Sequence, residues 1–131
     1  MTFVDTGAWA GFFVSADSLH RAAVEWIERN NDPLVTSDYV LDEFVTLVKA
    51  RFGARASVEA GDRLWAEEFS QVVFVTAGDI QEAWRVFRTH RDKKWSFTDC
   101  TSYVLMKRLG IIRAFAFDQH FSQMPGVRRV P

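Results

Sequence analysis

The chain has 131 residues, 48% of them hydrophobic, with twelve Phe and five Trp, which is the size and apolar content of one domain around one substantial core. Its single cysteine excludes a disulfide framework and any multi-cysteine zinc site and fits a reducing cytoplasm. No apolar run nears the roughly 20 residues that span a bilayer, and a formal net charge of −1 speaks against nucleic-acid binding by bulk electrostatics, because phosphate-binding domains usually carry a positive excess.

The start, Met1-Thr2-Phe3-Val4-Asp5, lacks a basic region followed by an apolar stretch. With no linker, repeat or low-complexity segment, the expectation is one cytoplasmic domain over residues 1–131 with no membrane association. In chain order, Phe3-Val4 reads as a buried strand, and Asp5 ends it directly before a helix-forming stretch. Residues 18–29 repeat Leu19, Ala22, Ala23, Trp26 and Ile27 at helical spacing, with Asn31-Asp32-Pro33 as the stop. A second strand follows at 34–36. The helix over 39–52 is capped by Ser37 or Asp38, carries Val40, Phe44, Leu47, Val48 and Phe52 on one side, and ends at Gly53. Residues 56–69 and 79–91 give two more amphipathic helices around a third strand at 72–75, the second after Gly78-Asp79. Residues 98–109 form the last helix, closed by Gly110 before a fourth strand at 114–117.

Strands separated by helices predict an α/β fold with a mainly parallel sheet of four to five strands covered on both faces. In such sheets ligand sites form beyond the carboxyl ends of the strands.

Four carboxylates stand at places where structure alone does not account for them. Asp5 follows the first strand and Asp118 the fourth. Each reads either as an N-cap or as a functional acid, and parallel neighbouring strands would bring both to one edge. Glu43 lies on the same helix stripe as Val40 and Leu47, where a charge needs a compensating partner. The alternatives are that it snorkels at the stripe's edge or pairs with a distant Arg. Adjacent Asp42 points about 100° away on helical geometry and reads as solvated. Asp99 opens the last helix, where it interacts favourably with the helix dipole. Ser96 and Thr98 are better N-cap candidates and leave Asp99 free for another role. Four acids from four elements share one economical explanation, a divalent cation of the oxygen-seeking kind, one or two ions of Mg²⁺ or Mn²⁺. His20, His90 and His120 share no ligand-like spacing, so zinc chemistry is poorly supported.

Val4-Asp5-Thr6, Glu43, Ser96-Phe97-Thr98-Asp99-Cys100 and Phe115-Ala116-Phe117-Asp118-Gln119-His120-Phe121, in this order across nearly the whole chain, resemble the PIN-domain family, in particular the short VapC-type toxins of toxin–antitoxin pairs. The resemblance implies a three-layer α/β/α domain and a metal-dependent endoribonuclease, a hydrolase with Asp5, Glu43, Asp99 and Asp118 around the metal and Thr6 as a supporting hydroxyl. It implies Asp5 and Asp99 as direct ligands, and Glu43 and Asp118 acting through water. It also implies homodimers and a cognate antitoxin that binds near the acidic groove and blocks it. Gly7 departs from a good helix start.

Arg88, Arg91, Lys93, Lys94 and Trp95, with Arg85 and His90, could carry phosphates and a stacked base toward Asp99; otherwise they form a solvated helix end. Trp9, Phe12, Phe13 and Trp26 read as core or as a groove for an antitoxin helix. Competing functions are a PIN-type nuclease in housekeeping RNA processing, an inactive binding module, and a receiver-like phosphoacceptor. The last needs an acid after a central strand, and Val75-Thr76-Ala77 supplies none.

Overall fold

The computed structural model describes residues 1–131. Five short strands form one sheet: β1 (Thr2–Val4), β2 (Leu34–Ser37), β3 (Gln71–Val73), β4 (Arg113–Phe115) and β5 (Arg128–Val130). They lie in the order β3-β2-β1-β4-β5, and every pairing is parallel. The connections from β1 to β3 run toward one edge, through α1 (Thr6–Phe13), α2 (His20–Arg29), α3 (Asp38–Phe52) and α4 (Ala54–Trp65). The return to β4 runs the other way through α5 (Ala77–Thr89) and α6 (Phe97–Leu109). Right-handed crossovers in opposite directions place their helices on opposite faces of the sheet. The receiver alternative fails here, because receiver domains follow the order 2-1-3-4-5.

Two elements are expected without bounds, the helix-forming stretch after Asp5 and a fifth strand. Helix α1 runs through Thr6-Gly7-Ala8-Trp9-Ala10-Gly11-Phe12-Phe13, apolar on nearly every side, so no helical stripe marks it. Gly7 does not interrupt it. Strand β5 has two arginines in three residues and is defined by its pairing with β4. The other expected elements are present with shifted ends. The strand expected at 72–75 forms at Gln71–Val73, and the one at 114–117 at Arg113–Phe115. The helix expected to reach residue 69 stops at Trp65.

The carboxyl edge is fixed by a chain of buried contacts. Ser37 caps α3, its hydroxyl accepting from the Val40 N–H at 3.1 Å. Trp9, fully buried, donates its indole N–H to Thr36 Oγ1 at 3.2 Å, and that hydroxyl donates to the Val4 carbonyl at 3.0 Å. These bonds tie α1 and β2 to the residue before Asp5. Asp5 N–H in turn donates to the Phe115 carbonyl at 3.0 Å, joining β1 to the end of β4. Phe12 and Phe13 pack edge-on against Phe69, and Trp26 stacks on Phe115 with ring centres 4.1 Å apart, so the aromatics around α1 and α2 serve the core. Gly11 lets α1 and α2 approach closely, since a Cβ there would meet Ala23 Cβ at 3.1 Å and the Leu19 carbonyl at 3.3 Å.

Candidate active site

Strand β1 leads to β2 on one side and has β4 on the other, so the strand order reverses between β1 and β4 and opens a crevice beyond their carboxyl ends. Asp5 and Asp118 follow these two strands. Asp5 occupies the N-cap position of α1, yet its side chain makes no capping bond. Its Oδ1 is buried without any hydrogen-bond partner, and so is Thr6 Oγ1 beside it. Burial pushes the Asp5 carboxyl up from 3.8 to about 8, and the nearby charges of Asp99, Glu43 and Asp118 push the same way. The Thr6 N–H opposes them in part without making a capping bond. The reading of Asp5 as a cap is thereby set aside, and the four acids lie close enough to feel one another.

Asp99 is 5% exposed in the first turn of α6. Ser96 is the N-cap, but Asp99 is not spared from capping as the sequence suggested. It completes the capping box, its Oδ2 accepting the Ser96 N–H at 2.9 Å. The same Oδ2 lies 2.9 Å from His120 Nδ1. Burial raises the Asp99 pKa, and the Ser96 and His120 bonds offset part of that rise. Asp118 is half-exposed and caps a short 3₁₀ helix, Gln119–Gln123, its Oδ1 accepting the His120 N–H at 2.9 Å. That oxygen is also 3.2 Å from His120 Nδ1. Asp99, Asp118 and His120 thus offer three ligand atoms within 4.8 Å of one another.

Glu43 is half-buried on α3, at the rim of the apolar stripe rather than inside the core, and lines a cleft of about 420 Å³ with Thr98 and Arg51. Asp42 is exposed. A larger cleft, about 700 Å³, runs along α2 past Asp32 and Arg113 and contains none of the four acids. The perturbed, orphaned carboxyl is the better marker of chemistry than the larger hollow.

Two residues escaped the sequence reading. His120 meets Asp99 across 21 residues, and only its place two residues after Asp118 could have drawn notice. Ser102, one turn after Asp99 on α6, has a buried hydroxyl without a partner. Trp95 is corrected as a base-stacking candidate. It is 5% exposed, its ring lies against His90 at 4.7 Å, and its indole N–H donates to Gln123 Oε1 at 3.0 Å. Arg88, Arg91, Lys93 and Lys94 are exposed, and Arg85 is paired with Glu82. The Trp95–Gln123 bond fastens the turn carrying Arg91, Lys93 and Lys94 to the 3₁₀ helix that carries His120. Cys100, beside Asp99, is fully buried, and burial lifts its thiol to about 11.

A model of the PIN domain matches residues 2–127. The chain belongs to the PIN-domain family. This PIN domain is 36% identical over 122 residues to the 23S rRNA-specific endonuclease VapC20 of Mycobacterium tuberculosis, a match covering 93% of this chain and 92% of the relative. It is 29% identical to ribonuclease VapC26 of the same organism, over 92% and 90% of the two chains. The crystal structure of VapC20, described as a sarcin-ricin loop cleaving toxin, superposes with a TM-score of 0.90 at 34% identity over 95% of each chain. FitAcB from Neisseria gonorrhoeae shares the fold, with a TM-score of 0.72 at 13% identity over 100% of this chain and 97% of that one. No helix of this PIN domain is long and apolar enough to cross a membrane.

Proposed function

We propose that this PIN domain is a Mg²⁺- or Mn²⁺-dependent endoribonuclease acting as the toxin of a toxin–antitoxin pair. The observation that carries the metal reading is the buried Asp5 Oδ1, without a donor, beside three further acids. A carboxyl held in that state is stabilised as a carboxylate by a cation, and the carboxylates of Asp99, Glu43 and Asp118 around it suit a hard one. Asp5 and Asp99 would hold the ion directly, with Glu43 and Asp118 at its periphery and Thr6 as supporting hydroxyl. A divalent cation bound there supplies an acidified water and neutralises charge on the leaving oxygen of the phosphodiester. Arg91, Lys93 and Lys94 receive flanking phosphates at the rim, and Arg88 extends that surface along α5.

The toxin role rests on similarity to a relative described as a toxin, and it implies an antitoxin that closes the acidic groove. For the homodimer, the support is an exposed aromatic face: Trp84 is 54% and Phe87 36% exposed, stacked 5.6 Å apart and continuing to Phe97. Changing Trp84 and Phe87 together to Ser is expected to convert a dimer to a monomer in light scattering, with the fold retained. A dimer that survives both changes places the contact elsewhere.

The function is tested by incubating the purified chain and its Asp99→Asn variant with total RNA and with 23S rRNA, with Mg²⁺, with Mn²⁺ and with chelator. Cleavage is expected only for the wild type with metal. Cleavage that persists in chelator, or equally in the variant, overturns the reading.

A further inference from the structure

The backbone around His120 is fixed at both ends of its short helix. The His120 N–H is bound by Asp118, the next residue, Phe121, is fully buried, and the far end of the same 3₁₀ helix is tied to Trp95 through Gln123. Its ring is one-quarter exposed, and Nδ1 faces Asp99 Oδ2 at 2.9 Å. In the tautomer that carries the proton on Nδ1, His120 donates to Asp99 Oδ2, the nearer of the two carboxylate oxygens it faces, with Asp118 Oδ1 at 3.2 Å. Asp99 Oδ2 then takes two donors, Ser96 N–H and His120 Nδ1–H, and no donor reaches Oδ1.

A second capping box in the same chain shows what a different partner does. Asp79 also accepts from its N-cap backbone, that of Thr76. Its second partner is Arg108, whose guanidinium reaches both oxygens: Nε lies 2.9 Å from Oδ1 and Nη2 lies 2.9 Å from Oδ2. That carboxylate has no free oxygen to offer. An imidazole, with a single N–H in reach, saturates one oxygen and leaves the other open.

We propose that His120 is a positioning residue: with Ser96 it locks Asp99 through Oδ2 so that Oδ1 is presented, in one fixed direction, to the divalent cation. This rests on the metal reading above. Hydrogen-bond partners of ligating groups fix their orientation, and losing one typically costs about 10–100-fold in metal affinity.

The test is calorimetric titration of Mn²⁺, and in parallel Ni²⁺, into the metal-stripped full chain. The proteins are the wild type, His120→Gln and His120→Asn, with thermal unfolding in chelator to establish that each is folded. The Asn amide nitrogen falls where Nδ1 stood and keeps the bond to Asp99. The Gln amide falls at the Nε2 position and loses it. The expected result is Mn²⁺ binding weakened about 10–100-fold in His120→Gln, near-wild-type binding in His120→Asn, and the same factor for Ni²⁺ as for Mn²⁺. Unchanged Mn²⁺ affinity in a folded His120→Gln overturns the proposal and leaves the metal reading standing, as does an Asn variant as weak as Gln. A Ni²⁺ loss far exceeding the Mn²⁺ loss overturns it in favour of direct imidazole ligation, which suits nickel. A wild type that takes no Mn²⁺ overturns the metal reading and this proposal together.

Discussion

Helices α5 and α6 begin with the same device and end in opposite electrostatic states. In each, a hydroxyl N-cap and an aspartate three residues on bond one another's backbone N–H, Thr76 with Asp79 and Ser96 with Asp99. Both aspartates are buried, 4% and 5% exposed. At Asp79 burial pushes the pKa up, but the Arg108 guanidinium and the Thr76 bonds outweigh it and hold the carboxyl below its usual range. At Asp99 burial prevails and the pKa rises, because the Ser96 and His120 bonds offset it only in part and the Asp118 charge adds to it. The difference teaches that a capping motif says where a helix starts and nothing about whether its acid works. The groups brought in from distant elements decide that.

The sharpest way to break this comparison is to remove each acid in turn. Asp99→Asn is expected to lower RNA cleavage by more than about 100-fold while the protein remains folded, since an amide cannot replace a ligating carboxylate. Asp79→Asn is expected to do the reverse. It should cost about 1–3 kcal/mol in urea unfolding, from a weakened cap and a broken ion pair, with cleavage per folded molecule unchanged. Reciprocal failure, with Asp79→Asn inactive and Asp99→Asn merely unstable, would exchange the two roles.

The next largest effect concerns Asp5. Well below 3.8 both the folded and the unfolded metal-free chain hold it protonated. From 3.8 up to about 8 the unfolded chain has released the proton and the folded chain keeps it, so the metal-free fold loses stability as pH rises through that window, by at most about 1.4 kcal/mol per unit. Asp5→Asn lacks this loss. Melting curves in chelator should therefore show the variant and the wild type similar near pH 3 and diverging above 3.8, with the variant the more stable at pH 8. Parallel curves across the range would mean that Asp5 is solvated.

The smallest effect is expected in the turn between the two helices. Lys93→Ala with Lys94→Ala should raise KM for RNA about two- to fivefold, leave kcat alone, and flatten the log–log salt dependence by roughly 1.4 if each lysine meets one phosphate of a single strand. An unchanged salt slope removes them from the RNA path.

Much of this was legible before the fold was known, and the misses have definite causes. Asp5, Glu43 and Asp118 stood out because each occupied a strand end or a helix stripe. The reversal of strand order between β1 and β4 is what brings Asp5 and Asp118 together. Helix α1 lacked a polar side, so periodicity could not bound it, and β5 exists through its pairing with β4. Asp99 was misjudged locally: Ser96 with an acid three residues later spells a capping box, which employs the acid instead of freeing it. His120 could not be assigned, because its meaning lies in a partner on another element. Trp95 next to lysines looked like a nucleobase platform, and only the fold reveals that its indole is committed to Gln123.

The lone cysteine gives the protein a built-in clock. Cys100 is sealed inside α6 next to Asp99, and a thiol lifted to about 11 is almost wholly unreactive at neutral pH. An alkylating reagent can reach it only when that helix opens, so the labelling rate counts the openings of the helix that carries Asp99. Slower labelling in the presence of Mn²⁺ would time how long the loaded pocket stays shut, with no RNA needed.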